Sequence, residues 1–325
     1  MDRLDHFMAR ANAGYYATHD PYSDFTTAPE ISQVFGELLG LWAAVVWEQM
    51  ARPVPVVLAE AGPGRGTLMA DALRALRQAA PDFAAALRLV LIESSPRLRA
   101  LQAERLPDAT WIDSVADLPP SPFILFANEF LDALPIRHFV RRGTGWTERF
   151  VGDGRFHERP AAAPPNLPPA AEGQVMEIGE AARSVAAALA GRVVAHGGAA
   201  LIIDYGPASF APGESLQALR GRQPADPLAR PGEADLTAHV DFGAMADAAT
   251  AAGAAVHGPL AQGKFLTRLG LYPRSHALAR GAGPARAAAL IEAAQRLAEP
   301  DRMGSLFKAL ALCPPALPTP PGFEP

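Results

Sequence analysis

The clearest chemical pattern in this chain of 325 residues is a glycine-rich segment that begins with an acidic residue. Residues 60–66 have the sequence Glu-Ala-Gly-Pro-Gly-Arg-Gly and directly follow an apolar run at 56–59 that is typical of a buried strand. Glycines let a ligand approach the backbone closely, and the helix that follows offers free N–H groups. The segment lacks the Gly-Lys-Ser/Thr ending of a P-loop, and its third glycine comes one position too early for the dinucleotide fingerprint.

The acid at the start of this segment, Glu60, separates the ligand classes. A carboxylate beside the loop would repel a pyrophosphate, whereas it suits a ligand with a positively charged amino group or sulfonium. S-adenosyl-L-methionine carries both groups. Glu60, Gly62, Gly64 and Gly66 therefore predict a site for this cofactor, with a dinucleotide site or a purely structural turn as the alternatives.

Two further acids follow predicted strands. Glu93 ends the apolar run at 89–92, and an acid at that place accepts hydrogen bonds from ribose hydroxyls in doubly wound folds. A solvated glutamate at a strand end is the alternative. Asp113 follows the next short strand, at 110–112, and is predicted either to face the adenine amino group or to cap a helix.

The polar residues Asn128, Glu129 and Asp132 follow a fourth apolar strand at 123–127. Groups at the carboxyl end of a central strand lie where the reaction should occur. A carboxylate there can bind and orient a cationic acceptor, such as a guanidinium or an ammonium group. The alternative is that Asn128 and Asp132 only cap the next helix.

These residues require elements that bring them to one edge of a sheet. Apolar strands separated by helices from Pro55 onward predict an α/β, Rossmann-like fold with a doubly wound, mostly parallel sheet, preceded by a helical N-terminal region and interrupted by hairpin and helical insertions. Ser32 is a predicted cap for a buried helix that contains Leu38–Trp47. The predicted segments are a helical N-terminal region with a cofactor lid (1–52), the first half of the core (53–135), a hairpin and Pro-rich insertion (136–178), and the second half of the core with acceptor-side elements and C-terminal helices (179–325).

Composition narrows the function classes. The 29 basic and 34 acidic residues give a net charge of −5, which disfavours a nucleic-acid partner. Cys313 is the only cysteine, so an internal disulfide and a Cys-cluster metal site are excluded, and no metal is predicted. No run reaches the ~18 apolar residues of a membrane span. The first six residues resemble neither a signal nor a transit peptide, which predicts a cytoplasmic location.

Six motifs then occur in a fixed order along the chain. They are Asp24-Phe25-Thr26-Thr27-Ala28-Pro29-Glu30-Ile31-Ser32, Gly62-Pro63-Gly64-Arg65-Gly66-Thr67-Leu68, Asn128-Glu129-Phe130-Leu131-Asp132-Ala133-Leu134-Pro135, Asp204-Tyr205-Gly206, Asp235-Leu236-Thr237-Ala238-His239-Val240-Asp241-Phe242 and Gln262-Gly263-Lys264-Phe265-Leu266. With them, nearly the whole chain resembles the family of the mitochondrial complex I assembly methyltransferase and its bacterial relatives, the MidA proteins. The resemblance implies a Rossmann-like class I methyltransferase that uses S-adenosyl-L-methionine. For the mitochondrial member it implies symmetric dimethylation of arginine on a complex I subunit, and hence a protein substrate here.

The family motifs point to further site residues. Segment 15–30 is predicted to fold over the cofactor as a lid and to exclude water, with an N-terminal strap that only packs as the alternative. The predicted lid contacts are Tyr16, Phe25, Thr26 and Thr27 to the cofactor and Glu30 to the acceptor. Asp204 is predicted on the same rim as Glu129. His239 and Asp241 are predicted in the acceptor pocket, with a purely structural histidine as the alternative. The family's histidine shortly before Asp-Pro-Leu is absent before 226–228, which leaves no general-base histidine there.

The predicted reaction is in-line methyl transfer to a nitrogen, in which carboxylates orient the acceptor and stabilise its charge. Glu129 is the first candidate and Asp204 the second, with Asn128 and Asp132 beside them. Three alternatives stay open: a small molecule or nucleic acid as the acceptor, an assembly factor that binds the cofactor without turnover, and a dehydrogenase.

Overall fold

The computed structural model describes residues 1–19, 26–162, 164, 167–209 and 212–324. Its helices are α1 (Leu4–Thr18), α2 (Ala28–Ile31), α3 (Gln33–Gln49), α4 (Thr67–Ala79), α5 (Pro81–Ala86), α6 (Pro96–Arg105), α7 (Glu180–His196), α8 (Phe242–Ala251), α9 (Gln262–Arg268), α10 (Leu271–Arg280) and α11 (Pro284–Ala298). Its strands are β1 (Asp2–Arg3), β2 (Val56–Ala61), β3 (Leu87–Ile92), β4 (Thr110–Ile112), β5 (Phe123–Asn128), β6 (Arg137–Arg142), β7 (Gly145–Gly152), β8 (Arg155–Ala161), β9 (Val175–Ile178), β10 (Gly198–Tyr205), β11 (Gln217–Arg220), β12 (Gln223–Ala225), β13 (Asp235–Thr237), β14 (Ala255–Ala261) and β15 (Phe307–Cys313).

Seven strands form the central sheet, in the order β14-β15-β10-β5-β2-β3-β4. The strands from β10 to β4 pair in parallel, and β15 runs antiparallel between β10 and β14. The chain moves outward from β2 to β4 and then returns to β5 on the other side of β2. Ligands of doubly wound sheets bind beside such a switch point, at the carboxyl ends of the strands. The predicted α/β, Rossmann-like fold with a mostly parallel sheet is confirmed.

Two apolar layers cover the sheet, one on each face. Alternate side chains of β5 enter different layers: Phe126 packs with Trp42 of α3, and Leu125 packs with Leu189 of α7. A strand that is buried on both faces needs apolar residues at every position, which explains the uninterrupted apolar run of β5. The Ser32 hydroxyl accepts the N–H of Val34 at 3.2 Å and caps α3, as its position predicts.

The insertions form two smaller antiparallel sheets. Strands β6 and β7 form a hairpin within the range predicted for one, and β1, β8 and β9 extend it to five strands in which β1 and β8 flank β7. Strands β12, β11 and β13 form the second sheet. The sequence patterns above do not predict β9, this second sheet or β15. The division of the chain into four segments stays a prediction. Strand β1, from the first predicted segment (1–52), pairs with β7 of the third predicted segment (136–178). Within the described ranges, no helix is both long enough and apolar enough to cross a bilayer.

Candidate active site

A cavity of about 820 Å³ lies at the carboxyl ends of β2, β3 and β5, beside the switch point of the sheet. Its volume is in the usual range for sites that bind small molecules. Ten of the residues predicted from the sequence line it: Tyr16, Thr27, Glu30, Glu60, Gly62, Gly64, Glu93, Asp113, Asn128 and Glu129. The structure therefore brings the glycine loop, both nearby strand-end acids and the proposed acceptor residues to one place.

The glycine loop between β2 and α4 has a backbone that favours glycine. Gly62, Gly64 and Gly66 have φ angles of +64°, +54° and +75°, in the left-handed region that other residues adopt at a cost. A Cβ atom on Gly62 would lie 2.8 Å from Cδ2 of Phe130. Gly66 is the N-cap of α4 and, contrary to the sequence-based prediction, is not among the residues that line the cavity.

Glu60 occupies the end of β2 with its side chain buried against the cavity. Burial raises the pKa of this carboxyl to about 8, and its Oε2 atom has no hydrogen-bond partner in the described part of the chain. A buried carboxylate without a partner is costly, and a cation relieves that cost. The site therefore fits the amino group or sulfonium of S-adenosyl-L-methionine.

The two other predicted cofactor acids differ in their surroundings. Burial raises the pKa of Glu93, whose Oε1 accepts the N–H of Ser95 at 2.8 Å. Asp113 has a side chain that is 79% exposed and forms an ion pair with Arg99 at 2.7 Å. Glu93 is therefore held in place by hydrogen bonds, whereas Asp113 is an exposed acid at the cavity edge. Their roles toward the cofactor stay predictions.

Helix α1 forms a roof over the cavity through Asn12 and Tyr16. The buried Asn12 side chain donates to the carbonyl of Ala133 at 2.9 Å and exchanges hydrogen bonds of 2.8 and 3.0 Å with the backbone of Leu236. The Tyr16 hydroxyl donates to Asp235 at 2.8 Å, and burial with this acid nearby raises the pKa of the phenol. The roof is thus fixed to the turn after β5 and to β13.

The strap at residues 26–31 borders the cavity next to α1. Thr27 is buried and Glu30 accepts the hydroxyl of Thr67 at 2.5 Å, which joins the strap to the first residue of α4. Thr26 is exposed and does not line the cavity, so its predicted contact with the cofactor has no support here. Phe25, the remaining predicted lid contact, lies outside the described residues.

The acceptor end of the cavity is formed by Asn128 and Glu129. Glu129 has a φ angle of +48°, and burial raises the pKa of its carboxyl to about 7. Its Oε1 accepts the N–H of Ala28 at 2.9 Å and the side-chain amide of Asn128 at 3.3 Å. The buried Oδ1 of Asn128 has no partner among the described residues. This end therefore presents oxygen atoms that can accept hydrogen bonds.

Asp204 and Asp132 do not line the cavity, contrary to the prediction that both act there. Asp204 is fully buried, and its Oδ2 accepts the N–H groups of Leu131 at 2.9 Å and of Asp132 at 3.2 Å. Burial raises the pKa of both carboxyls, and the charge of Asp132 raises that of Asp204 further. Asp204 therefore supports the turn that carries Glu129 and does not face an acceptor.

His239 and Asp241 also lie away from the predicted acceptor pocket. Both line a separate cavity of about 20 Å³ near Glu177. Asp241 caps α8 by accepting the N–H of Ala244 at 3.0 Å, and the backbone N–H of His239 donates to Ser215. The His239 side chain is exposed and its ring lies edge-on to that of Tyr205, so neither residue reaches the acceptor end of the main cavity. Within the described ranges, no three His, Cys, Asp or Glu side chains converge as a metal site would require.

Asn12 and Gln102 are two polar residues of the site that the sequence reasoning misses. Each lies on a helix with a buried side chain, and each bonds to a loop that borders the cavity. The feature of the sequence that could have identified them is a polar residue on the apolar face of a predicted helix. In Gln102 that signal is its spacing of four residues from the buried Leu98.

Comparisons with known proteins identify the family of this chain and proteins that share its fold. A family model with the description "Putative S-adenosyl-L-methionine-dependent methyltransferase" matches residues 38–260. The protein arginine methyltransferase NDUFAF7, mitochondrial, of Danio rerio is 34% identical over 332 residues, which cover 91% of this chain and 78% of the relative. The human protein of that name is 32% identical over 348 residues, which cover 93% and 76%. A crystal structure from Burkholderia thailandensis, bound to S-adenosyl-homocysteine, is 27% identical with a TM-score of 0.81, and the match covers 98% of this chain and 89% of that one.

These relatives correct one prediction. The names of the Danio, Drosophila and human proteins place them in mitochondria, so the predicted cytoplasmic location is wrong by this comparison. That prediction rested on the composition of the first six residues. Neither the fold nor the chemistry of the cavity depends on the compartment.

Proposed function

We propose that this chain methylates the side chain of an arginine in a protein. The chain belongs to the family of S-adenosyl-L-methionine-dependent methyltransferases whose model it matches. Family membership, together with the relatives of known name, establishes methyl transfer and the cofactor. The resemblance noted in the six sequence motifs is thereby confirmed. The acceptor is the part of the reaction that has to be inferred from the site.

The observation that carries the proposal is the polarity of the acceptor end. Asn128 offers a buried oxygen without a partner among the described residues, and Glu129 offers a carboxylate. One of the two N–H donors of the Asn128 amide already bonds to Glu129. A guanidinium has five N–H donors and no acceptor, so it complements a site of this kind. Its planar fork can also bond to both oxygens of one carboxylate.

The cofactor residues of this chain leave that end free for the acceptor. Glu60 and the glycine loop would hold the amino-acid part of S-adenosyl-L-methionine, and Glu93 would hold its ribose. The bound cofactor supplies a methyl group that is already activated on a sulfonium. Glu60 and Glu129 come from neighbouring strands, β2 and β5, and both line the cavity. The protein's task is therefore to place a nitrogen beside the cofactor.

Glu129 has two roles in this proposal. In its ionised form it orients the guanidinium and stabilises the positive charge on it. Because burial raises its pKa to about 7, its carboxylate is also a competent base near neutral pH. We assign to it the proton that the nitrogen loses when its bond to the methyl carbon forms. Asn128 holds the carboxylate in position from the side.

The relatives support a protein as the acceptor, because their names describe protein arginine methyltransferases. We further propose that the protein is a subunit of a respiratory complex of the complex I type. The support for this finer statement is the resemblance of the six motifs to the complex I assembly family. A small-molecule acceptor is the competing possibility.

The test uses the purified chain, S-adenosyl-L-methionine labelled in the methyl group, and an extract of respiratory membranes. We expect label in protein, recovered as methylarginine after hydrolysis. We expect Glu129→Gln to lower the labelling about 100-fold, since it removes a charge that acts on the transition state. S-adenosylhomocysteine should still bind to this variant.

Glu148→Gln is the matched control, because Glu148 is a buried glutamate of β7 that pairs with Arg137 and does not line the cavity. It should label protein at nearly the wild-type rate. Label in lysine or in small molecules only would contradict an arginine acceptor. Methylarginine in proteins other than complex I subunits would contradict only the finer proposal.

A further inference from the structure

Gln102 is a helix residue whose side chain is completely buried behind the cofactor cavity. It lies on α6 and does not itself line the cavity. A buried amide must satisfy two donors and one acceptor, and an unsatisfied group there is costly. Its partners therefore show which parts of the protein it joins.

The side chain of Gln102 makes three hydrogen bonds within the described residues, and all three reach segments that border the cavity. Its Nε2 donates to the carbonyl of Gly64 at 2.8 Å and to Oε2 of Glu93 at 3.4 Å. Its Oε1 accepts the indole N–H of Trp111 at 2.8 Å. Gly64 belongs to the loop after β2, Glu93 follows β3, and Trp111 lies in β4. One side chain thus connects the carboxyl-terminal regions of three adjacent parallel strands.

The orientation of the amide is fixed by these partners. With the amide reversed, Oε1 would face the carbonyl of Gly64 and the carboxylate of Glu93, which are both acceptors. Its nitrogen would then face the N–H of Trp111, which is a donor. Only the present orientation pairs donors with acceptors at all three contacts.

We propose that Gln102 is a cofactor-positioning residue, which holds the glycine loop and Glu93 at the separation that S-adenosyl-L-methionine requires. The loop is expected to contact the amino-acid part of the cofactor and Glu93 its ribose. A side chain that bonds to both fixes the distance between the two halves of the site before the cofactor arrives. This preorganisation strengthens binding because less of the protein has to be ordered on association. The inference depends on the cofactor and not on the proposed arginine acceptor.

The first test is Gln102→Met, with the affinity for S-adenosylhomocysteine measured by calorimetry on the full chain. Methionine is similar in length and apolar, so it keeps the packing and removes all three hydrogen bonds. We expect binding to weaken about 10-fold or more, because Gly64 and Glu93 lose a common support. In turnover assays the KM for S-adenosyl-L-methionine should rise, and kcat at saturation should change much less.

Gln262→Met is the matched control for a loss of stability alone. Gln262 is also completely buried, and its Nε2 donates to a backbone carbonyl, that of Leu297, at 2.9 Å. It lies on α9 and does not line the cavity. This variant should lower the melting temperature and leave the affinity for S-adenosylhomocysteine within about twofold of wild type.

Two further variants keep the proposal open to refutation if Gln102→Met does not fold. Trp111→Phe removes the N–H that fixes the amide orientation, together with part of the indole ring, and it should weaken binding about threefold. The double variant of Glu93→Gln with Trp111→Phe should lose less affinity than the sum of the two single losses, since both act through Gln102. Wild-type affinity in both Gln102→Met and Trp111→Phe would overturn the proposal. So would an equal loss in Gln262→Met.

Discussion

The Asp204 carboxylate accepts the backbone N–H of Leu131 at 2.9 Å, two residues beyond the glutamate proposed to orient the acceptor. Asp204 is the second-last residue of β10 and Leu131 follows β5, so this bond links two parallel strands at the edge where the cavity lies. The same oxygen also accepts the N–H of Asp132. The carboxylate thus holds the turn on which Glu129 adopts its left-handed backbone conformation.

Asp204→Asn should lower the methyl-transfer rate about 10- to 100-fold, because an amide of the same shape presents N–H groups where two backbone donors require an acceptor. The affinity for S-adenosylhomocysteine should change little, since Asp204 does not line the cavity. Asp241→Asn is a suitable control: it alters another carboxylate that bonds to a backbone N–H, at the start of α8. It should cost stability and spare the rate. An unchanged rate in Asp204→Asn would remove the positioning role.

The methyl-transfer rate should depend on the ionisation of Glu129. Burial raises its pKa from the usual 4.5 to about 7, and only the ionised carboxylate can orient a guanidinium and accept its proton. The value of kcat/KM for the acceptor, which follows the ionisation of Glu129 before the acceptor binds, should therefore rise with pH through about 7 and level off about one pH unit above that value. The residual activity of Glu129→Gln should lack this rise. A wild-type rate that is constant between pH 5.5 and 8.5 would contradict the assignment.

The stability of the ligand-free protein should fall as the pH rises, partly because of Glu60. Its pKa is about 8 when folded and near 4.5 when unfolded, so between these values the folded state binds more protons. The contribution of Glu60 protonation to the free energy of unfolding is fully present below about pH 4.5 and is lost as the pH rises through about 8. Burial raises the pKa values of Glu129 and Asp132 as well, so they contribute in the same direction.

The share of Glu60 can be isolated with Glu60→Gln, which stays neutral at every pH. The melting temperature of the wild type should decline more steeply than that of Glu60→Gln between pH 5 and 8.5. Saturating S-adenosyl-L-methionine should flatten the wild-type curve, since a cation beside Glu60 stabilises its charged form. Parallel curves for the two proteins without the cofactor would refute this account of Glu60.

Gly62→Ala should weaken cofactor binding by at least about 10-fold. The added Cβ would lie 2.8 Å from Cδ2 of Phe130, and alanine at a φ of +64° is strained. Calorimetry with S-adenosylhomocysteine measures the loss. Adding Phe130→Ala should remove the collision but not the strain, so the recovery should be partial. Gly143→Ala is the control. Gly143 has a similar φ of +54° in the hairpin turn, and an added Cβ would meet open space there. This variant therefore measures the cost of backbone strain alone, away from the cavity.

The sequence was sufficient to predict those parts of the site that depend on local patterns. The strand, glycine loop and helix around Gly62 were predictable because each follows from neighbouring residues. Glu93 and Asn128 were predictable because parallel strands place their carboxyl ends at one edge. Strand β15 was missed, because an apolar run near the chain end gives no indication of which strand it joins.

The direction in which a side chain points was the part that could not be predicted. Asp204 does lie near the end of β10 beside β5, as expected, yet its carboxylate bonds to backbone N–H groups of the adjacent turn. His239 and Asp241 lie within a family motif, but the path of the chain after β13 places them at another cavity. Gln102 resembles a surface residue of a short helix, and its hydrogen bonds reach residues that are distant in sequence, in β4 and in the segments after β2 and β3.

The pairing of Asn12 with Leu236 has a consequence for the time at which this enzyme becomes competent during synthesis. The roof of the cavity is held by residues that lie more than two hundred positions apart in the chain. The polypeptide must therefore be synthesised at least as far as Leu236 before this contact can fix α1 over the cavity. Until then the glycine loop lacks the cover of α1, and a cofactor bound there would be open to solvent on that side.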